Sequence, residues 1–148
     1  MDNVRSLHNV GSFFRIADGA GIEKVILCGG TPTPPRHEIS KTALGTVDTV
    51  IWEYAKDTVS ALKNLSKSGY TLCAIEQTER STDLYATKLP VKLAVVVGHE
   101  RVGVSPEVLD LCPYHLHLPM RGSGAHSLNV STCTSAVLYE LGRRLCYD

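Results

Sequence analysis

The sequence predicts one α/β domain with a mostly parallel sheet and helices on both faces. Short β-rich runs alternate with helical patterns along its 148 residues, the order of elements typical of this class. Residues 25–27 and 93–97 are continuously apolar, as expected for strands that are buried on both faces. Apolar residues make up 43 % of the chain and charged residues 20 %, a composition typical of globular proteins.

Five segments are predicted as strands, and their residues are 24–28, 49–52, 71–75, 93–97 and 115–118. Parallel strands share one carboxyl edge, where α/β proteins bind ligands. A stretch rich in glycine and proline directly follows the first strand, at residues 29–37. We expect it to form an ordered loop at that edge, because prolines fix the backbone there.

Four helices are predicted from apolar residues at three- and four-residue spacing. The first ends at Gly21, and its stripe consists of Val10, Phe13, Phe14, Ala17 and Ala20. The last is long, and its stripe consists of Val130, Cys133, Val137, Leu141 and Leu145. Few residues come before the first helix, so either the first strand is very short or a further segment precedes it.

The two middle helices are predicted from capping residues as well as from spacing. Asp57 or Thr58 can cap the second helix, which Gly69 closes. Ser105 supplies a capping hydroxyl for the third helix, which a proline begins and Leu111 ends. Each of these helices follows a predicted strand or loop, which agrees with the alternating pattern.

Bulk properties exclude several classes of protein. No apolar run approaches the roughly 20 residues that span a bilayer, and the first residues lack the apolar region of a signal peptide, which favours a cytoplasmic location. The net charge is zero, so the composition does not by itself indicate nucleic-acid binding. The five cysteines lack CxxC spacing, so we expect reduced structural thiols, with no disulfide framework and no metal site.

Three polar segments are candidates for a site, although each has an ordinary structural explanation. Residues 98–103 read Gly-His-Glu-Arg-Val-Gly, which suits a tight strand-to-helix turn. Arg15 can pair on the helix surface with the aspartate three residues on. The last helix begins among Ser127, Asn129 and Ser131. One of these suffices as a cap, either Ser127 or Asn129, so the excess of polar side chains indicates a site.

The order and spacing of these segments resemble the three motifs of the SpoU/TrmH RNA 2′-O-methyltransferases, a branch of the SPOUT superfamily. The residues that match the first motif, Asn-x-Gly-x-x-x-Arg, are Asn9, Gly11 and Arg15. Those that match the second, Gly-x-Glu-x-x-Gly, are Gly98, Glu100 and Gly103. Those that match the third are Pro119, Met120, Ser127, Leu128, Asn129 and Ser131. The segments 31–35 and 41–45 are also similar to the family, so the likeness spans essentially the whole chain.

The resemblance implies a single catalytic domain over residues 1–148 without an added RNA-binding domain. It also implies a C-terminal portion that threads a loop to form a trefoil knot, a rare topology. In the family the knot binds S-adenosylmethionine and forms part of a homodimer interface. By position, the residues implied to line the cofactor pocket are Ile75, Glu76, Gly98, Gly103, Leu118, Met120, Ser127 and Leu128.

The implied reaction is transfer of the cofactor's methyl group to a ribose 2′-hydroxyl of tRNA or rRNA, and the compact size favours tRNA. The residues implied to form the catalytic site are Arg15, Asn9, Glu100, Asn129 and Ser131. A guanidinium stays protonated in ordinary settings. We therefore expect Arg15 to position the RNA and to stabilise developing negative charge on the oxygen. No metal is needed, because the cofactor already carries an activated methyl group.

RNA would then contact the catalytic domain itself, and the candidate residues are Arg5, Arg36, Lys41, Arg101 and Arg121. Two alternatives remain open at this point. A non-catalytic knotted RNA-binding or assembly factor would keep the fold without turnover, although Arg15 and the complete third motif speak against it. A small-molecule α/β enzyme would share only the crevice, and the three motifs would then be coincidental.

Overall fold

The structure, a computed structural model, describes residues 1–124 and 126–147, with side chains through residue 144. Its helices are α1 (Leu7–Gly19), α2 (His37–Ala43), α3 (Thr58–Lys67), α4 (Pro106–Leu109) and α5 (Val130–Tyr147). Its strands are β1 (Val25–Cys28), β2 (Trp52–Ala55), β3 (Thr71–Ile75), β4 (Thr82–Asp83), β5 (Leu93–Val96) and β6 (Tyr114–His117). The side chains of Leu145 and Cys146, which the sequence analysis used, lie outside the described residues.

All strand pairs are parallel. One sheet consists of β1 and β2, and a second has the order β4-β6-β3-β5. The first residues join the two sheets, because Asp2 donates its amide to Val97 O at 2.7 Å while Cys28 donates to Met1 O at 3.0 Å. Asp2 and Cys28 form a parallel bridge. The strand expected before the first helix is therefore present as a single bridging pair.

Helices cover both faces of the four-stranded sheet, as predicted. Leu72 and Ala74 of β3 pack into a cluster with residues of α3 and α4. Cys73, between them in sequence, packs on the opposite face with Val137 and Leu141 of α5. A third cluster lies between α1, α2 and β1. Each fully buried aliphatic side chain in these clusters stabilises the fold by about 1.5–3 kcal/mol.

The predicted strand at 71–75 is confirmed. The strands predicted at 24–28 and 93–97 differ from the structure by one residue at one end, and the strand predicted at 115–118 is shifted by one residue. The prediction of a strand at 49–52 was wrong, because β2 begins only at Trp52. Thr49 instead closes a turn by donating its amide to Thr46 O at 3.3 Å. Val50 likewise donates its amide to Thr46 O, at 3.0 Å, so these residues are held in a turn and not in the sheet. Trp52, the first residue of β2, packs edge-on against Phe14, with ring centroids 6.2 Å apart.

Two short elements, α2 and β4, escaped prediction because they have 7 and 2 residues, too few for a periodic signal. The first helix also ends two residues earlier than predicted, at Gly19. Asp57, and not Thr58, caps α3 by accepting a hydrogen bond from the Ser60 amide at 2.8 Å.

Ser105 lies at the start of α4 but does not cap it with its hydroxyl, contrary to the prediction. Its hydroxyl and amide instead donate to Oδ2 of the buried Asp2, at 2.7 and 2.9 Å. The Thr58 hydroxyl donates to the other carboxylate oxygen at 2.7 Å. Burial would raise the pKa of Asp2, but these hydrogen bonds outweigh burial and lower it. One carboxylate thus ties the first residues to the starts of α3 and α4.

Gly11 is a packing residue between α1 and α2. A Cβ atom there would collide with the Thr42 hydroxyl and with Ile39 O. The same Thr42 hydroxyl donates to His8 O at 3.2 Å. The first-motif glycine therefore permits the close approach of two helices and does not itself face a cavity.

Within the described residues, no helix has both the length and the apolar character needed to cross a bilayer.

We expect Gly11→Ala to destabilise the protein by about 1–3 kcal/mol, because the added methyl group overpacks the contact with α2. The free energy of unfolding in urea measures this. Gly142→Ala is the matched control, since nothing lies within 4 Å of a Cβ at that helical position. It should stabilise α5 by about 0.5–1 kcal/mol. Equal effects of the two substitutions would contradict the packing role.

Asp2→Asn should lower the free energy of unfolding by about 1–3 kcal/mol at pH 7, because an amide replaces one of the two accepting oxygens with an NH2 group, which would face a donor of Thr58 or Ser105. The pKa of Asp2 is lowered in the folded state, so the stabilisation is complete above the unfolded pKa of about 3.9 and is lost as the pH falls through the folded value. Urea unfolding of both proteins between pH 7 and pH 2.5 should therefore show a difference that shrinks below about pH 4. A difference that is independent of pH would contradict this assignment.

Candidate functional site

A cleft of about 510 Å³ lies at the carboxyl ends of β3, β5 and β6, beside the start of α5. Its apolar residues include Ile75, Val97, Leu116, Leu118 and Val130. Its polar residues include Glu76, Glu100, Ser127 and Asn129. The cleft therefore suits a ligand that has both an apolar part and several polar groups.

Every residue that the resemblance implied for a cofactor pocket lines this cleft: Ile75, Glu76, Gly98, Gly103, Leu118, Met120, Ser127 and Leu128. They come from separate strand ends and from the segment before α5. The parallel topology is what brings them together, because it places the ends of β3, β5 and β6 at one edge.

The turn after β5 is closed by backbone contacts. His99 and Gly103 exchange two backbone hydrogen bonds, at 3.0 and 2.9 Å. Glu76 accepts a hydrogen bond from the Val104 amide at 3.0 Å. A side chain on Gly98 would collide with the backbone of Gly103 and Val104, so only glycine permits this approach. The second motif is therefore a rigid rim of the cleft.

Side chains from the three motifs form one hydrogen-bonded chain. The Asn9 amide group donates to Glu100 Oε1 at 2.9 Å, and its carbonyl oxygen accepts from Asn129 Nδ2 at 3.2 Å. Oδ1 of Asn129 accepts from the amide and hydroxyl of Ser131, at 2.9 and 2.7 Å. Each donor faces an acceptor, so the chain fixes how both asparagine side chains are turned. It links α1, the turn after β5 and the start of α5.

Glu100 also holds the backbone that leads into α1. Its carboxylate accepts hydrogen bonds from the amides of Arg5 and Ser6, at 3.0 and 2.9 Å. Partial burial would raise the pKa of Glu100, but the hydrogen bonds from Arg5, Asn9 and Ser6 outweigh it and lower the pKa. A carboxylate with a lowered pKa is a poor proton acceptor at neutral pH. Its contribution is to position groups around the cleft.

Asn129 is the cap of α5. Besides its bonds to Ser131, its Oδ1 lies 3.4 Å from the Thr132 amide. Of the two capping residues that the sequence left open, the structure thus selects Asn129, and Ser127 is left to line the cleft. Asn9 and Ser131 are buried behind the cleft and do not line it.

Arg15 is exposed on α1 and is not among the residues that line the cleft. Asp18, its expected partner, instead accepts a hydrogen bond from the Thr49 hydroxyl at 2.8 Å. Within the described part of the chain, Arg15 and Asp18 form no ion pair. Arg15 lies about 9 Å along the helix axis from Asn9. The structure therefore does not bring Arg15 to the cleft of its own chain.

The residues predicted to bind RNA are all exposed, and they are Arg5, Arg36, Lys41, Arg101 and Arg121. Arg101 lines the cleft. Arg5 lies next to the cleft, because the Arg5 amide donates a hydrogen bond to Glu100, which lines the cleft. Arg36 and Lys41 lie at the start of α2 and within it, and Arg121 follows β6.

Several residues that line the cleft were not predicted as site residues: Val97, Leu116, Val130, Cys133 and Thr134. Val97 is the last residue of the predicted strand at 93–97 and Leu116 lies within the one predicted at 115–118, so their place near the carboxyl edge of the sheet could have identified them. Cys133 and Thr134 follow Val130 by one helical turn on α5, so the helical spacing could have identified them as well. His99 and His117 also line the cleft.

The cysteines that the structure describes are free thiols. Burial raises the pKa of Cys73 to about 12 and that of Cys112 to about 11, so both stay protonated and unreactive at neutral pH. Across residues 1–124 and 126–144, no group of three or more His, Cys, Asp or Glu side chains is placed to hold a metal ion.

Known proteins of similar sequence and structure are methyltransferases. A putative TrmH family tRNA/rRNA methyltransferase of Staphylococcus saprophyticus is 28 % identical over 147 residues, which are 99 % of this chain and 58 % of that protein. The solved AdoMet-bound rRNA methyltransferase from Sinorhizobium meliloti is 25 % identical, with a TM-score of 0.87, and the match covers 99 % of this chain and 55 % of that one. A solved RNA 2′-O ribose methyltransferase is also 25 % identical, with a TM-score of 0.85, and the match covers 97 % and 54 % of the two chains. The chain thus spans little more than half of these relatives.

The sequence profile described as the SpoU rRNA Methylase family matches residues 1–139. The matched range contains all three motifs, the cleft and the hydrogen-bonded chain that joins Glu100, Asn9 and Asn129. This chain therefore belongs to the SpoU rRNA Methylase family.

Proposed function

We propose that this chain is the catalytic domain of an S-adenosylmethionine-dependent methyltransferase that modifies a ribose 2′-hydroxyl of RNA. The observation that carries the proposal is the hydrogen-bonded chain from Glu100 through Asn9 to Asn129, which unites the three family motifs beside one cleft. The AdoMet-bound relative supports the cofactor, and the RNA 2′-O ribose methyltransferase supports the position of methylation.

The residues of the cleft fit S-adenosylmethionine in size and chemistry. A volume of about 510 Å³ lies within the usual range for small-molecule sites. Ile75, Leu116 and Leu118 offer an apolar surface for a flat ring, while the tight turn at Gly98 presents backbone groups to polar atoms. The bound cofactor would supply a methyl group that is already activated for transfer.

The chain's own residues position the substrate and balance charge. Glu100, Asn9 and Asn129 hold α1 and α5 in a fixed relation to the rim of the cleft. Arg15 is a permanently charged donor that suits a phosphate, or an oxygen on which negative charge develops. Because Glu100 is a poor base and Arg15 a poorer one, we assign neither of them the task of removing the hydroxyl proton.

The proposal includes a homodimer, because Arg15 does not line the cleft of its own chain. A second copy packed near α1 and α5 would bring a second Arg15 to that cleft. Leu128 lines the cleft and Tyr139 lies on α5; the two residues are 43 % and 56 % exposed. A second copy would cover these large hydrophobic side chains.

The proposal also includes the trefoil knot of the family. In support, β6 pairs with β3 and not with β5, the preceding strand of the larger sheet.

Methyl transfer to RNA tests the proposal. The protein is incubated with labelled S-adenosylmethionine and either total tRNA or total rRNA, and the labelled nucleotides are mapped. Label on ribose supports the proposal, and label on a base contradicts it. Cofactor binding without transfer to either RNA would instead support the non-catalytic binding factor. tRNA is tested first, although the size argument for it weakens because the chain spans only 58 % of its S. saprophyticus relative.

We expect Arg15→Ala to lower kcat by on the order of 100- to 1000-fold, the loss typical of one removed charge-stabilising donor. The Kd for S-adenosylmethionine should be unchanged, because Arg15 does not line the cleft. Single-turnover methyl transfer and calorimetric titration measure the two quantities. Lys63→Ala removes an exposed cation from α3 and should leave both unchanged. Loss of cofactor binding in Arg15→Ala would contradict the assigned role.

Mixed dimers test whether the Arg15 that serves a cleft comes from the same copy or from the other copy of the dimer. Arg15→Ala chains are co-expressed with Gly98→Val chains, whose added side chain collides with the rim of the cleft. If each cleft uses Arg15 of the other copy, a mixed dimer keeps one intact site and the mixture recovers about a quarter of the wild-type activity. No recovery would show that each chain uses its own Arg15.

Asn129→Asp should keep the cap of α5 but break the link to Asn9. A carboxylate still accepts from the Ser131 and Thr132 amides, but it cannot donate to Asn9 Oδ1. We expect the free energy of unfolding to fall by about 1–3 kcal/mol, because the buried Asn9 Oδ1 loses its donor. We expect kcat to fall on the order of 100-fold, since α1 and α5 lose their fixed relation. Urea unfolding and methyl-transfer kinetics measure these effects. An unchanged kcat would contradict the positioning role of the hydrogen bond between Asn129 and Asn9.

A further inference from the structure

Tyr54 presents an exposed aromatic ring at the carboxyl end of β2, the edge strand of its sheet. The residue is 51 % exposed, yet its hydroxyl donates to Gly29 O at 3.0 Å. Trp52 lies on the same face of the strand and packs into the core against Phe14. The ring of Tyr54 is thus held at its tip while much of its surface faces solvent.

A guanidinium is held on the same loop. Arg5 Nη1 donates to Gly30 O at 3.0 Å, which uses one of its five N–H donors. Asn3 Oδ1 accepts from the Gly30 amide at 2.8 Å, so this loop is fixed from both sides. A Cβ atom on Gly30 would collide with the Arg5 guanidinium. The Tyr54 hydroxyl and the Arg5 guanidinium are therefore anchored to the carbonyl oxygens of two consecutive glycines in one loop.

This pair is continuous with the cleft. The amide of Arg5 donates to Glu100 Oε2 at 3.0 Å, and Glu100 lines the cleft. A surface therefore runs from the cleft over Arg5 and the glycine loop to Tyr54.

Acidic groups near this surface are occupied elsewhere. Glu53 precedes Tyr54 and points to the opposite face of β2, where it pairs with Lys24 at 3.1 Å. Asp2 is buried and bound to Ser105 and Thr58. Asp57, which follows β2, accepts a hydrogen bond from the Ser60 amide at the start of α3. The Arg5 guanidinium brings positive charge to the glycine loop, which favours a ligand with negative charge.

We propose that an unpaired RNA base stacks on Tyr54 while Arg5 binds the adjoining phosphate, so that the strand carrying the target nucleotide is guided into the cleft. The inference rests on the proposed function and adds a second contact outside the reaction centre. An exposed ring beside a cation is the arrangement by which proteins hold single-stranded nucleic acid. Stacking tolerates any base, so Tyr54 selects for an unpaired strand and not for a sequence.

The test uses the full chain and a 10-nucleotide single-stranded RNA in which 2-aminopurine replaces adenine. We expect stacking to quench the fluorescence on binding. Tyr54→Ala should abolish the quenching and weaken binding roughly ten-fold, the loss typical of one removed stacked base. Tyr54→Phe keeps the ring and should bind within about two-fold of wild type. The same strand in a perfect duplex should show no quenching that depends on Tyr54.

Tyr85→Ala is the matched control, because Tyr85 is 57 % exposed and follows β4, at the opposite edge of the structure. It should bind the RNA as wild type does. Equal binding by Tyr54→Ala and wild type would overturn the inference and leave the ring as a surface for a protein partner. Equal losses in Tyr54→Ala and Tyr85→Ala would also overturn it.

The outcomes separate this inference from the proposed function. Methyl transfer to RNA that Tyr54→Ala leaves unchanged in both KM and kcat would overturn the inference alone. RNA binding that depends on Tyr54, without methyl transfer by the wild-type protein, would overturn the proposed function alone. If both hold, Tyr54→Ala should raise KM for RNA roughly ten-fold at saturating cofactor with kcat nearly unchanged.

Discussion

The hydrogen bond from Asn9 to Glu100 is the interaction on which the geometry around the cleft depends. Glu100 reaches it from the turn after β5 and also binds the two amides that lead into α1. Asn9 in turn accepts a hydrogen bond from Asn129, the residue that caps α5. If Glu100 were removed, these donors would lose their acceptor, and each one left buried without a partner would cost about 1–3 kcal/mol. The orientation of two helices therefore rests on one carboxylate.

The three motifs contain residues that shape the fold, residues that line the cleft, and Arg15, which does neither. Gly11 lets α1 approach α2, and Gly98 lets the rim of the cleft fold back on itself. The polar groups of Asn9, Glu100 and Asn129 form hydrogen bonds with one another and with backbone amides. Arg15 is exposed and outside this network, and unlike Ser127 and Leu128 it does not line the cleft. Much of each motif therefore builds the architecture around the cleft, and under the proposed function that architecture would hold the cofactor and the RNA strand near Arg15.

The sequence was sufficient to predict the parallel α/β class, most of the strands and the residues that surround the cleft. Apolar runs and strand ends carry that information locally, since the carboxyl edge of a parallel sheet is a fixed place. It did not show that Trp52, at the start of β2, packs against Phe14. It also suggested that the Ser105 hydroxyl caps a helix, whereas this hydroxyl donates a hydrogen bond to the buried Asp2. Such pairings join residues far apart in the chain, and local spacing carries no trace of them.

The contacts that build the cleft join the two ends of the sequence. Glu100 binds residues 91 to 95 positions away, Asn129 binds Asn9 across 120 positions, and Ser105 binds Asp2 across 103. Contacts of such separation require large loops to close, which slows folding. On a ribosome, Asn9 of the helix that begins at Leu7 lacks both of its side-chain partners until Glu100 and then Asn129 have been synthesised. The binding site is therefore among the last parts of the molecule to form, and a chain released early would have most of the sheet but no functional cleft.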